Sequence, residues 1–263
     1  MLIIAVLIMA GSGIGLYKVS QRYVAAIYFD NGLSTFNAEE PDLDKGTEDI
    51  FRAANMDNKD DYFRNLSQAL VLKINEVVNN QEIGNEDRQK LIQNLVTAIE
   101  NSATQAIQLN SENSQNWLQL GKVYQNFMVL GMEGAEGMAI LNYEKAFELA
   151  PTSPEIPLNI GQVYYDSATA NALRIGVLEQ TEGDEEEQVQ QLKALQPQLL
   201  EAGIEQTNRA IELKGNFVPA YYLLGQIYEL KGDNNLALEI YNMVLQFVPE
   251  SKEVKQRIEQ LKE

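Results

Sequence analysis

The chain opens on an unbroken apolar run: from Met1 to Tyr17 no residue is charged, and Lys18 and Arg22 close the stretch. Beyond it the apolar positions recur at helical spacing. Near the C-terminus Tyr221, Leu224, Gly225 and Tyr228 fall on one face of a helix, and Ala237, Tyr241 and Val244 on one face of a second. Lys231-Gly232-Asp233-Asn234 between them is a turn signal, and Pro249 ends the second helix. Each helix is too short to stand alone in water, so the pair must bury its faces on each other and on neighbours. Gly225 and Ala237 let the two helices approach closely, and the tyrosines fill the space beside them.

The same pattern recurs upstream. One copy runs Trp117, Leu120, Gly121, Tyr124, then Ala139, Tyr143, Ala146 and Pro151; another runs Ile160, Gly161, Tyr164, then Gly203 and Ala210. The junctions between copies agree: Ala106 to Gly121, Ala146 to Gly161 and Ala210 to Gly225 are each 15 residues, and Tyr124, Tyr164 and Tyr228 each follow their glycine by three. Ala53 and the Leu66–Leu70 stretch suggest one more, degenerate junction. Trp/Tyr-xx-Leu-Gly-xx-Tyr, then Ala-xxx-Tyr-xx-Ala, then Pro resembles the tetratricopeptide repeat (TPR) pattern, over about residues 19 to 249 and most strongly from 99 onward. The resemblance implies an all-α solenoid of antiparallel helix hairpins in a right-handed superhelix.

The array is irregular within its repeats. The late alanines 53, 106, 146 and 210 and the matching Val244 are separated by 53, 40, 64 and 34 residues, where a regular TPR array keeps 34. One insertion surrounds Gly131, Gly134 and Gly137. A larger one, about 167 to 200, reads as two lengthened helices around a turn at Thr181-Glu182-Gly183. Asp184 should cap the returning helix, whose first turn is acidic. Pro197 should kink or break that helix near Gln196. The expected organisation is a transmembrane anchor over 1–19, degenerate TPR-like hairpins over 20–110, TPR repeats with insertions over 111–250, and a polar capping helix over 251–263.

The anchor rests on length: 17 uncharged residues span about 26 Å, close to a hydrocarbon core, with Lys18 snorkelling and Tyr17 and Tyr23 at the interface. A cleaved signal peptide fits less well, because no basic residue precedes the apolar stretch. The positive flank at Lys18 and Arg22 places the repeats in the cytoplasm. Gly11 and Gly15 form a small-xxx-small pair through which two such helices could dimerise. The helix should then continue toward the first hairpin, the first breaker being Asn31-Gly32. TPR tails also follow the last membrane helix of polytopic O-antigen ligase-like glycan enzymes, which makes such an appendage the alternative reading.

Composition narrows the chemistry. With 20 Lys+Arg against 38 Asp+Glu the net charge is −18, and no basic stripe is present for nucleic acid. There is no Cys and no His, which removes thiolate and imidazole metal sites and the Ser-His and Cys-His nucleophile pairs. Gly131-xx-Gly134-xx-Gly137 lacks the Lys-Ser/Thr of a phosphate loop. No cofactor and no enzymatic activity are expected.

The expected function is instead a scaffold that binds a protein or peptide in the groove lined by the first helix of each hairpin. Its candidate residues are Gln115, Gln119, Lys122 and Asn126; Asn159, Gln162 and Tyr165; and Tyr222, Gln226 and Glu229. Their amides and phenols can pair with a peptide backbone. Asn159 resembles one element of the TPR carboxylate clamp, but Leu223 and Pro219 stand where that clamp needs basic residues. Such a groove should bind with little salt dependence, whereas a basic partner on Glu182 to Glu187 would be released steeply by salt.

Overall fold

The computed structural model describes residues 2–180 and 186–262, with the side chains of the first helix described from Gly15 onward. Among the described residues there are eleven α-helices and no strand. They divide into two compact units, Met1–Gly131 and Met132–Glu263.

The first unit holds α1 (Leu2–Phe36), α2 (Leu43–Met56), α3 (Asp60–Asn79), α4 (Asn85–Leu109) and α5 (Ser114–Val129). Its first hairpin is built on a close approach of two glycines. A Cβ on Gly32 would come within 2.7 Å of Ile50 Cγ1 and 2.9 Å of the Gly46 carbonyl, and one on Gly46 within 2.9 Å of the Phe36 ring. Asn31-Gly32 is therefore not the expected breaker. α1 runs through it to Phe36, and Gly32 serves as the contact that lets α2 lie against α1. Ala25, Ile50, Ala53, Ala54, Tyr62, Leu66 and Ala69 form the core behind it.

The anchor expectation is corrected here. Among the described residues no helix is long and apolar enough to cross a membrane, which overturns the single-pass localisation drawn from residues 1–19. The second half of α1 packs on protein: Ala25 is fully buried against the α2–α3 core, and Arg22 reaches Asp57 at 3.6 Å. Apolar length at the start of the chain thus runs directly into a protein-packed face. Of the proposed dimer pair, Gly11 lies in the part of α1 that precedes the described side chains. A Cβ on Gly15 would meet nothing within 4 Å.

The second unit holds α6 (Ala135–Leu149), α7 (Glu155–Leu178), α8 (Glu186–Leu213), α9 (Val218–Lys231), α10 (Asn234–Phe247) and α11 (Lys252–Gln260). The expected lengthening is present: α7 and α8 have 24 and 28 residues, against 14 each in α9 and α10. The turn at 181–183 and the cap at Asp184 lie outside the described residues. Where α7 and α8 cross, a Cβ on Gly161 would sit 2.6 Å from Thr207 Oγ1, whose own hydroxyl donates to the Gly203 carbonyl at 2.7 Å. Pro197 does not break α8. Proline removes one helical N–H and crowds the preceding turn. Beside it Asn171 Nδ2 donates to the Leu192 carbonyl at 2.9 Å and to Gln196 Oε1 at 2.7 Å, which ties α7 to α8 in the turn before the proline.

The 15-residue junctions are packing contacts. Ala106, Ala146 and Ala210 are all fully buried, and Gly121, Gly161 and Gly225 are buried too. At Gly232 the backbone is left-handed (φ +82), and Asp233 caps α10 by accepting from the Leu236 N–H, as the Lys-Gly-Asp-Asn signal requires. α11 closes the unit by packing Val254 and Ile258 onto Ala237, Tyr241 and Val244.

Candidate functional site

In the first unit, α3 and α5 lie side by side and leave a groove of about 380 Å³ between their exposed stripes. α5 supplies Gln115, Gln119, Lys122 and Asn126, the four residues expected from the sequence, along with Leu118. α3 supplies Arg64, Gln68, Leu72 and Asn75, along with Val71. The α3 residues were not anticipated. α3 contains no glycine, so only the degenerate Leu66–Leu70 stretch sets its register against the other first helices.

A polar cluster holds the two helices at one end of the groove. Asn116 is fully buried in α5. Its Nδ2 donates to Asp60 Oδ2 at 2.9 Å and to the carbonyls of Ala106 (3.0 Å) and Asn110 (2.9 Å), and its Oδ1 accepts from Arg64 Nη1 at 2.8 Å. Asn113, which caps α5, also donates to Asp60 Oδ2 at 2.8 Å. Burial alone would push the Asp60 carboxyl up. The donors Asn116 and Asn113, with Arg64 3.8 Å away, outweigh it and hold the group below the usual carboxylate range. Arg64 is thereby fixed at the groove edge with its charge partly spent. Asn126 folds back onto the Lys122 carbonyl at 2.8 Å, and Gln119 is itself buried.

In the second unit, Asn159, Gln162 and Tyr165 lie on α7, and Tyr222, Gln226 and Glu229 on α9. α11 engages two of them. Tyr222 donates its hydroxyl to Glu253, and Glu229 accepts from Tyr241 Oη at 2.9 Å and from Arg257 Nη1 at 2.8 Å. Burial, and then the Glu253 carboxylate, push the Tyr222 phenol up to about 12. Burial and Glu229 push Tyr241 up further. Tyr222 and Glu229 are thus tied into the closing helix, a commitment visible only once α11 is placed. Gln162 donates to Asp166 at 2.8 Å. Tyr165 packs against the core of α7, α8 and α9. Asn159 stands apart: its Nδ2 is buried and has no hydrogen-bond partner among the described residues, an orphan donor that costs about 1–3 kcal/mol unless something accepts from it. Among the described residues no cluster of acidic side chains could hold a metal ion.

No known family's profile matches the chain, and no curated protein does. Solved structures do. The chain is similar to TTC0263, a thermophilic TPR protein of Thermus thermophilus, at 13% identity and a TM-score of 0.56, over 90% of this chain and 98% of that one. MamA of Desulfovibrio magneticus RS-1, from residue 41 to its end, matches at 15% identity and 0.53, over 87% and 97%. PilF of Pseudomonas aeruginosa matches at 12% and 0.54, over 87% and 78%. The fold is that of TPR proteins. These likenesses give no support to the O-antigen ligase-like origin.

Proposed function

We propose that this chain is a non-catalytic helical-repeat scaffold that holds a peptide segment of another protein. The observation that carries this reading is the α3–α5 groove. Two helices there present amide and cationic side chains, with Leu72 among them, along a recess of about 380 Å³. Amides can satisfy an extended backbone, and the apolar patch gives a side chain somewhere to sit. The unpaired Asn159 amide in the second unit supports the same chemistry, because a peptide carbonyl is the acceptor it lacks. Arg64 is already engaged by Asn116 and Asp60, so binding should rest on hydrogen bonds and contact area rather than ion pairs and should change little with salt.

The test is to select peptides from a random displayed library on the full chain. The best binder is then titrated calorimetrically against wild type and the Gln68→Ala/Lys122→Ala double variant. Loss of about tenfold or more, nearly unchanged between low and high salt, is expected. Selected peptides indifferent to that variant would refute the groove assignment.

A further inference from the structure

α9 packs on one half of the long α7–α8 hairpin, where Leu223, Leu224 and Ile227 meet Leu199, Leu200 and Ile204. At Gly232 the chain turns away toward α10, while α7 and α8 continue past that point. Their continuation bears two adjoining recesses. One, of about 480 Å³, has walls of Ala172, Ile175, Pro197 and Leu200, with Leu230 of α9 at its foot. The other, of about 380 Å³, runs along α7 over Leu173, Gly176 and Val177 and shares Ala172 and Leu230. Leu173 and Val177 are 68% and 61% exposed. Contiguous apolar surface of this kind, on a hairpin pinned shut by Asn171, marks a contact face.

Shape and charge together say what would cover it. The recesses continue the track of α9, so the shape they accept is a helix. The α7 stripe from Thr169 to Gln180 is about 18 Å long, which corresponds to about three turns. The two lysines that line the first recess are neutralised, Lys193 by Glu179 at 2.6 Å and Lys231 by Glu201. Glu186 and Glu187 stand exposed in the first turn of α8, on a chain of net charge −18. A second copy would bring like charge against like. We propose that this overhang docks a three-turn amphipathic helix of a partner protein, apolar on the inward side and rich in Lys and Arg on its flanks.

The probe is a synthetic Leu/Lys amphipathic helix, titrated by fluorescence anisotropy against the full chain, with a Leu/Glu twin as control. The Lys peptide should bind and weaken as salt rises, and the Glu twin should not bind. Leu173→Glu/Val177→Glu should weaken binding about tenfold or more, because two apolar contacts are lost. That variant adds two negative charges at exposed positions, so mere attraction to an acidic surface would instead tighten it. Unchanged circular dichroism confirms that the variant folds. Gln68→Ala/Lys122→Ala in the first unit should leave this affinity alone, so the two proposed surfaces fail separately. Unchanged or tighter binding by the Glu variant would overturn the proposal. So would equal binding of the Glu twin, or a dimer in sedimentation that the Glu variant dissolves.

Discussion

Gly225 offers the sharpest test of how the repeats are held. A Cβ at this position would lie 2.5 Å from Tyr241 Cε1 and 2.8 Å from Cδ1, roughly 1 Å inside normal carbon contact. The ring cannot simply step aside. Tyr241 is fully buried, and its hydroxyl is held by Glu229, which is held in turn by Arg257 of α11. Gly225→Ala gains about 1 kcal/mol of helix propensity. Against that stand about 1–3 kcal/mol of overpacking and, if the ring is displaced, a charge-assisted hydrogen bond worth about 1.5–3 kcal/mol. The net expectation is a loss of about 1–3 kcal/mol in urea unfolding followed by circular dichroism. Gly176→Ala supplies the contrast: it is the same change inside α7, where an added Cβ meets nothing within 4 Å, and should stabilise by about 0.5–1 kcal/mol. On a Tyr241→Leu background Gly225→Ala should likewise cease to destabilise. A Gly225→Ala protein as stable as wild type, or a loss undiminished in the Tyr241→Leu background, would refute the idea that the tyrosine ring is what reserves this glycine.

Asn116→Ala should cost about 2–4 kcal/mol by the same unfolding assay, because it leaves Asp60, the buried Ala106 carbonyl and the part-buried Asn110 carbonyl each short of a donor. Asn171→Ala should cost about 1–3 kcal/mol and raise amide exchange beside Pro197, where the Leu192 carbonyl loses its side-chain donor. The melting temperature should fall as pH rises from about 10 toward 12. Tyr124 and Tyr222, whose ordinary value is 10.0, are raised to about 12, first by burial and then by Glu100 and Glu253. Their contribution is complete below the unfolded value and is lost above it; Tyr124→Phe/Tyr222→Phe should flatten that limb. Asp60 gives the opposite sign, its lowered carboxyl withdrawing stability only as pH falls below its ordinary 3.8. An acid limb unchanged in Asp60→Asn would contradict this.

What the sequence determined by itself is the local grammar. Alternation of small and large residues at helical spacing, together with the 15-residue step from a buried alanine to a buried glycine, is a property of neighbouring turns, so the hairpins, the turn at Gly232 and the lengthened α7 and α8 were all legible. The part played by Asn31-Gly32 was not. The same dipeptide serves as a turn or as a helix contact depending on whether another backbone presses against it, and only the packing of Gly46 decides that. The continuation of α1 beyond the opening apolar run was hidden for a similar reason: hydropathy along the chain does not say that the helix carries on to Phe36, or that from Ala25 onward it packs on α2 and Tyr62. The binding surface divided along the same line. The α5 residues could be chosen from helical phase alone. Their α3 partners, the capture of Tyr222 and Glu229 by α11, and the overhang left where α9 stops short of α7 depend on which helices lie against which. Those contacts join residues far apart in the chain, and no periodicity along it records them.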